Sequence, residues 1–296
     1  MRSNRKGREM KLATIRYNGA QRVGCVTEDE MRVELLGPEW SDLRQVIAAG
    51  VDPISAVVPG SSIPLSAVEV LAPFPRPHRN IMCVGKNYRE HAKEFARSGY
   101  EAGAVAGKDI DDFPALFSKL PSTVTAHEAP IHLHKGVTEK VDYEAELAVI
   151  IGKGGRGIRP EDAWSHIWGY TIVNDVTARD VQKNHKQWFL GKSLDSFAPM
   201  GPWAVTADSV DATDLTVTCH VNGELRQKAN TRDLIFDIPT LIATLSAGIT
   251  LEPGDIIATG TPAGVGIGLD PPQFLKSGDR VEITISGIGT LANTCQ

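Results

Sequence analysis

Short apolar segments alternate with turn residues at the start of the chain. The segments KLATIRYNG, QRVGCVTED and MRVELL alternate apolar and polar positions with a period of two, which predicts a meander of short strands. A helix is predicted over Ser41–Ala49, with Ser41 as its N-cap. The proline-rich segment Pro73–Pro77 predicts a linker. We therefore expect a small β-rich N-terminal domain over 1–72 and a larger domain over 73–296.

The larger segment contains more strand patterns than helical ones. The chain has 28 glycines and 18 prolines, which favours a β-rich, loop-rich architecture. Its strands are not spaced by regular helices, as a doubly wound α/β sheet requires. Residues 98–113, rich in Gly, Ala and Asp, predict a mobile loop that could act as a lid. The predicted strands are Asn80–Val84, Glu144–Ile151, Trp168–Asp175, Gly201–Val205, Leu215–Val221, Asp255–Ala258 and Arg280–Ile285, and the predicted helices are Tyr88–Arg97, Val176–Lys186 and Ile238–Ala247.

Composition and charge exclude several classes of protein. The 31 basic and 36 acidic side chains give a net charge of −5, so nothing indicates a nucleic-acid partner. No apolar run approaches the roughly 18–20 residues that span a bilayer, so no membrane association is expected. The basic N-terminus is not followed by the apolar stretch of a secretory signal. The four cysteines are isolated in the sequence, which is typical of reduced thiols. These features predict a cytoplasmic enzyme.

Three acidic residues in or beside predicted strands are candidate metal ligands. Glu144 and Glu146, in VDYEAELAVII, are two residues apart on a strand, so their side chains lie on the same face. Two carboxylates beside an apolar run repel each other unless a cation neutralises them. Asp175 ends the apolar strand in GYTIVNDVTARD. Three such carboxylates suit a hard divalent cation, although an isolated E-x-E strand more often points both acids to solvent.

His91 and Glu94, in GKNYREHAKEF, form the second candidate set. At positions i and i+3 of a helix the two side chains lie on one face, so Glu94 can orient His91. An imidazole held by a carboxylate is a good general base near neutral pH. Taken alone, the segment is more typical of an exposed helical face with ordinary polar residues.

Two further segments carry candidate chemistry. Lys192 lies among small and apolar residues in FLGKSLDSFAPMGPW, where it could hold a substrate carboxylate or stabilise an enolate. The alternative is a surface lysine with a partly buried stem. In DIIATGTPAGVG an apolar strand leads into a Gly/Thr-rich turn, whose backbone N–H groups, with Thr261, could bind an anionic group. It is not a P-loop, because no G-K-[ST] follows.

Together and in this order, these segments resemble the fumarylacetoacetate hydrolase family. The matching stretches are VGKNYREHAKE, FSKLPST, VDYEAELAVIIGK, GYTIVNDVTARDVQ, KSLDSFAPMGPW and GDIIATGTPAGVG with the following GDRVEITISGIGTLAN, over about residues 80–293. The E-x-E strand followed by NDVTARD is the most specific part. The resemblance implies an α+β fold, a mixed β-sandwich roll preceded by the small N-terminal domain, and a homodimer.

The resemblance also implies roles for individual residues. Val84 stands seven residues before His91, where fumarylacetoacetate hydrolase itself supplies a further acidic ligand. The chain therefore resembles more closely the branch of acylpyruvases and 2-hydroxyhepta-2,4-diene-1,7-dioate isomerases. The implied roles are Glu144, Glu146 and Asp175 as ligands of Mg²⁺ or Mn²⁺, His91 with Glu94 as the dyad that activates water, Lys192 as the active-site lysine, and Gln182 and Thr261 as substrate contacts.

Three functions are compatible with these residues. The first is hydrolysis of a C–C bond in an acylpyruvate or 2,4-diketo acid, in which His91 activates water and a pyruvate enolate leaves. The second keeps the metal and the enolate without water: decarboxylation of oxaloacetate, or isomerisation of a 2-hydroxyhepta-2,4-diene-1,7-dioate. The third is a binding module without activity. Because water needs a base, the His91–Glu94 pair favours hydrolysis of a small-molecule keto acid.

Overall fold

The computed structural model describes residues 10–99 and 111–296. In chain order the strands are β1 (Lys11–Tyr17), β2 (Ala20–Val26), β3 (Arg32–Leu36), β4 (Val57–Pro64), β5 (Glu69–Val70), β6 (Ile81–Gly85), β7 (Ala115–Lys119), β8 (Val124–Thr125), β9 (Val141–Asp142), β10 (Ala145–Ile151), β11 (Ile167–Asn174), β12 (Thr177–Ala178), β13 (Ala198–Thr206), β14 (Thr216–Val221), β15 (Glu224–Asn230), β16 (Ile256–Ala258), β17 (Arg280–Ile285) and β18 (Gly289–Thr294). The helices are α1 (Leu43–Ala48), α2 (Pro53–Ala56), α3 (Arg89–Arg97), α4 (Arg179–His185), α5 (Phe189–Lys192) and α6 (Ile238–Ser246).

Two sheets dominate the molecule. The larger one has the order β4-β3-β2-β1-β13-β11-β10-β16-β6-β7, with β5 added beside β1 and β8 beside β13. Its neighbours are antiparallel except for β16 with β6 and β13 with β8, which are parallel. The smaller sheet has the order β15-β14-β17-β18. Both kinds of pairing make the larger sheet mixed, as the family resemblance implies.

The main core lies between the two sheets. On β10, Leu147 and Val149 face this core together with Val217 and Ile283 of the smaller sheet. The alternate residue Ile150 faces a second core on the opposite side of the large sheet. Both faces of β10 are therefore buried, which explains why its sequence is an almost continuous apolar run. The two acids at its beginning enter a deeply buried environment for the same reason.

The N-terminal strands extend the large sheet. β1, β2 and β3 form an antiparallel meander, as the alternating pattern predicts, and β4, which the pattern did not predict, extends it. β1 then pairs with β13, with Lys11 opposite Val205 and Leu12 opposite Ala204. The division of the chain into domains over 1–72 and 73–296 stays a prediction.

Two predicted helix boundaries are wrong. Ser41 is not the N-cap of α1. The side chain of Asp42 accepts the N–H of Arg44 at 2.8 Å, so Asp42 is the N-cap and the helix begins at Leu43. The helix predicted from Val176 begins only at Arg179, because the preceding residues pair with β9 as strand β12.

Two other expectations concern loops and membranes. Most of the loop predicted over 98–113 lies outside the residues that the structure describes. Within the described ranges, no helix has both the length and the apolar character needed to cross a membrane.

Candidate metal centre and active site

Three acidic side chains converge where two strands of the large sheet meet. Glu144 directly precedes β10, Glu146 is its second residue, and Asp175 directly follows β11. Because β10 and β11 are antiparallel, with Ala145 opposite Asn174, the start of one strand lies beside the end of the other. One carboxylate oxygen from each acid lies within 4.8 Å of the others, and all three side chains are buried. The structure thus brings together the three predicted metal ligands.

Three buried basic side chains contact two of these acids. Lys192 Nζ lies 2.8 Å from Glu144 Oε2 and 2.7 Å from Asp175 Oδ2. Arg179 contacts the other oxygen of Glu144 at 2.7 Å, and Lys119 contacts the other oxygen of Asp175 at 2.6 Å. Burial alone raises the pKa of Glu144, but Lys192 and Arg179 outweigh it and lower this pKa to about 2. Glu144 is therefore fully ionised at neutral pH.

Glu146 has a different environment. Among the residues that the structure describes, it has no basic side chain at ion-pair distance, and its Oε2 accepts the N–H of Gly260 at 2.8 Å. Burial, together with the negative charges of Asp175 and Glu144, raises the pKa of Glu146 well above its ordinary value. A buried carboxylate without a cation is costly. The three carboxylates therefore fit a hard divalent cation such as Mg²⁺ or Mn²⁺, which would supply the missing positive charge.

The predicted dyad forms on α3. His91 Nδ1 lies 3.1 Å from Glu94 Oε2, and His91 is buried while Glu94 is half-buried. The carboxylate of Glu94 also accepts the N–H of Gly264, at 3.0 Å to Oε1. Since Glu94 is held from two sides, it fixes the ring of His91 and leaves the Nε2 atom of His91 for proton exchange.

The Gly/Thr-rich turn after β16 binds carboxylates of the protein itself. Its Gly260 N–H donates to Glu146 and its Gly264 N–H donates to Glu94. The sequence predicted that backbone N–H groups of this turn bind an anionic group, and for these two N–H groups it is a carboxylate of the protein itself. The turn therefore connects the acidic triad with the dyad.

A small cavity joins these groups. Its volume is about 10 Å³, which is room for roughly one water molecule. Its polar side includes four predicted site residues, His91, Lys192, Gln182 and Thr261, and the triad acid Glu144. The complete lining is Val84, Gly85, Lys86, His91, Phe95, Phe117, Glu144, Arg179, Gln182, Trp188, Lys192 and Thr261.

Arg179 is a cavity residue that the sequence did not single out. Its Nε donates to Asp142 Oδ2 at 2.9 Å and its Nη1 contacts Glu144. Its Nη2 is buried and has no hydrogen-bond partner among the described residues. Since an unpaired buried donor is costly, this atom is available for an anionic ligand in the cavity.

Comparison with known proteins decides the family. A model of the fumarylacetoacetate (FAA) hydrolase C-terminal region matches residues 80–296. The chain belongs to the fumarylacetoacetate hydrolase family. Oxaloacetate tautomerase YisK of Bacillus subtilis is 56% identical over 230 residues, which cover 77% of this chain and 73% of the relative.

Solved structures of the fumarylacetoacetate hydrolase family have the same fold. Fumarylacetoacetate hydrolase from Exiguobacterium antarcticum is 43% identical, with a TM-score of 0.84 over 97% of this chain and 99% of that chain. Maleylpyruvate hydrolase from Sphingobium sp. SYK-6, in complex with manganese(II) ion and pyruvate, is 34% identical, with a TM-score of 0.75 over 97% of this chain and 98% of that chain. The predicted family and α+β fold are therefore confirmed, and so is the expectation of an enzyme.

Sequence reasoning missed three polar residues of this site. Arg179 follows Asp175 by four residues, and that short spacing is the signal that could have found it. Lys119 ends an apolar strand inside FSKLPST, and only its contact with Asp175 distinguishes it from a surface lysine. Gln227 donates to the hydroxyl of Thr261 at 2.8 Å, and no sequence pattern indicates this contact between distant segments.

Proposed function

We propose that the protein is a divalent-metal-dependent enzyme that interconverts the enol and keto forms of oxaloacetate. The observation that carries the proposal is one cavity lined by a carboxylate-held imidazole, by the cationic Arg179 and Lys192, and by Glu144 of the acidic triad. The 56% identity with oxaloacetate tautomerase YisK supports the choice of substrate. The same comparison favours the enolate alternative over the hydrolysis that the sequence favoured.

The polar side of the cavity has the groups that a small keto diacid requires. A divalent cation held by Glu144, Glu146 and Asp175 would act as a Lewis acid toward the keto-acid oxygens. Arg179, through its unpaired Nη2, and Gln182 would hold a substrate carboxylate. Lys192 would contribute positive charge where the enolate develops.

His91 would transfer the proton. With Nδ1 directed at Glu94, its Nε2 is the ring atom available to the substrate. In the enol-to-keto direction C3 would gain a proton from protonated His91. The enol oxygen would lose its proton to solvent, and solvent would reprotonate His91, so atoms and charge balance over the cycle. Glu94 stabilises the protonated ring when His91 holds the extra proton.

Hydrolysis of an acylpyruvate is the second candidate. The same His91–Glu94 pair could activate a water molecule, and the solved maleylpyruvate hydrolase relative supports this reaction. Decarboxylation of oxaloacetate uses the same enolate and requires no further residue. The three reactions differ in which bond changes, so product analysis separates them.

The proposed function is tested with a panel of substrates. Enol oxaloacetate, keto oxaloacetate and acetylpyruvate are supplied with Mg²⁺ or Mn²⁺, and the rates are corrected for the uncatalysed reaction. We expect the highest kcat/KM for loss of the enol form, with activity abolished by chelator and restored by either metal. Cleavage of acetylpyruvate, or release of carbon dioxide, with a higher kcat/KM than tautomerisation would contradict the proposal.

The position of Glu94 is tested at Gly268. A Cβ atom at Gly268 would overlap the carboxylate of Glu94, although the backbone there accepts alanine. We expect Gly268→Ala to lower kcat by roughly 10–100-fold, because a displaced dyad misplaces the base. KM and Mn²⁺ affinity should change little.

Gly248→Ala is the matched control for this variant. A Cβ at Gly248 meets no atom within 4 Å, so its kcat should equal that of the unmodified enzyme. Equal loss of kcat in the two variants would refute the role of Glu94 as the residue that positions His91.

A further inference from the structure

The cavity has two chemically different walls. The polar wall presents His91, Arg179 and Lys192, which account for the carboxylates and the keto oxygen of a substrate. The remaining wall is apolar and is formed by Val84, Gly85, Phe95, Phe117 and Trp188, and the centroid of the Phe117 ring lies 4.9 Å from Lys192 Nζ. No step of the proposed reaction uses this second wall. Since the charged head of a keto acid pairs with the cations, its tail must extend toward the apolar side.

Trp188 is held firmly in that wall. Its ring packs edge-on against Phe95 of α3, with centroids 5.7 Å apart, and against Phe117 of β7, with centroids 5.3 Å apart. Its carbonyl accepts the N–H of Lys192 at 3.0 Å, which ties it to α5. The indole therefore bridges the helix of the dyad and the edge strand of the large sheet, and the backbone of Trp188 connects it to the helix of the active-site lysine.

Gly85 provides the space that the indole occupies. A Cβ atom at Gly85 would overlap the six-membered ring of Trp188. The three atoms nearest to that Cβ position all belong to the ring. The backbone of Gly85 is not in the left-handed region, so its conformation does not require glycine. The close approach of Trp188 is therefore the physical reason for a glycine at the end of β6.

We propose that Trp188 sets the maximum length of the substrate by closing the apolar end of the cavity. The site then takes a four-carbon keto diacid and excludes 2-keto acids with a longer apolar tail. This inference rests on the proposed function for the class of substrate, and it adds the residue that limits its size. Trp188 is a specificity-determining residue that exchanges no proton with the substrate.

Two ligands that share a head group but differ in tail length test this limit on substrate length. Oxamate and N-butyloxamate share a keto-acid-like head and differ by a four-carbon tail. In calorimetry with Mn²⁺ present, we expect the unmodified protein to bind N-butyloxamate at least tenfold more weakly than oxamate. Trp188→Ala should raise the affinity for N-butyloxamate at least tenfold relative to that for oxamate, since each accommodated methylene is worth roughly tenfold or more.

Control variants separate this effect from loss of structure. Trp164→Ala removes the indole of a half-exposed tryptophan outside the cavity lining, and it should leave both affinities unchanged. Trp188→Leu retains an apolar side chain in the wall and should give an intermediate ratio if the alanine variant fails to fold. An unchanged ratio of the two affinities in a folded Trp188 variant would overturn the proposal.

Gly85→Ala applies the opposite perturbation. In the presence of Trp188 the new methyl group should push the indole into the cavity and weaken oxamate binding. In the Trp188→Ala background the same substitution should be neutral, because the overlapping ring is absent. Equal effects of Gly85→Ala in both backgrounds would also overturn the proposal.

The ligand measurements are independent of turnover. If the protein converts no keto acid but the affinity ratio changes as expected, the proposed function fails and the role of Trp188 stands. If oxaloacetate is converted and the ratio does not respond to Trp188, only the size limit fails.

Discussion

The His91→Asn variant is expected to lose roughly 10²–10⁴-fold in kcat for oxaloacetate tautomerisation, the usual contribution of a general base. Asparagine keeps a polar group beside Glu94 but cannot take up a proton near neutral pH. His91 is not among the three converging acids, so Mn²⁺ affinity should be unchanged. The checks are steady-state kinetics of enol loss and calorimetric titration with Mn²⁺.

His132→Asn is the matched control for this variant. His132 is exposed and lies outside the cavity lining, so the same substitution there should leave kcat and KM unchanged. If His91→Asn retains full kcat/KM while His132→Asn behaves as expected, His91 is not the base, and the proton must be exchanged by another group.

The Glu146→Gln variant is expected to bind Mn²⁺ more than about 100-fold more weakly, and to lose activity with it. Substitution of a residue that only supports a ligand already costs 10–100-fold in metal affinity, so removal of a charged ligand should cost more. The carbonyl oxygen of the new amide could still accept the N–H of Gly260, which keeps the turn in place. Metal titration followed by calorimetry measures the loss.

The same variant should stabilise the metal-free protein. In the folded state the pKa of Glu146 is raised above its ordinary value of 4.5 by burial and by the charges of Asp175 and Glu144, so ionisation opposes folding. Below about pH 4.5 the carboxyl is protonated in both folded and unfolded states, and the advantage of glutamine disappears. Between about pH 4.5 and the raised folded-state pKa of Glu146 the advantage grows with pH, and above that pKa it is constant.

Thermal unfolding in chelator, at several pH values, measures this second effect. Glu161→Gln serves as the control, since Glu161 is exposed and far less desolvated. A Glu146→Gln protein that binds Mn²⁺ as tightly as the unmodified protein, or that unfolds at a lower temperature without metal, would contradict this account of the acidic triad.

Local sequence patterns predicted the strands whose burial alternates or is continuous, but they missed others, among them β4, β7, β15 and β18. Arg280–Ile285 has the predicted bounds, and the strand predicted over Glu144–Ile151 begins one residue later in the structure. The pattern could not predict that β13 pairs with β1, or that β14, β15, β17 and β18 form a separate sheet, since strand pairing depends on contacts between distant segments. The fold class therefore came from the family resemblance.

The site was predictable to the extent that its residues share short segments. Glu144 with Glu146, and His91 with Glu94, lie close in sequence, and the structure brings each pair together. Lys119 contacts Asp175 across 56 residues, and its role depends on complete burial that composition does not indicate. The roles of the predicted site residues stay predictions until the variants are measured.

The hydrophobic core of this enzyme extends beyond residues 80–296, the region by which its family is recognised. Leu12 and Val23, which precede the matched region, share one apolar cluster with Ile150 and Met200 inside it. The region matched by the family model therefore does not contain all the side chains of this apolar cluster. A chimera that joined residues 80–296 to an unrelated N-terminal segment would contain every candidate catalytic group. It would lack the N-terminal side chains that pack against Ile150 and Met200, so this apolar surface would be exposed to solvent.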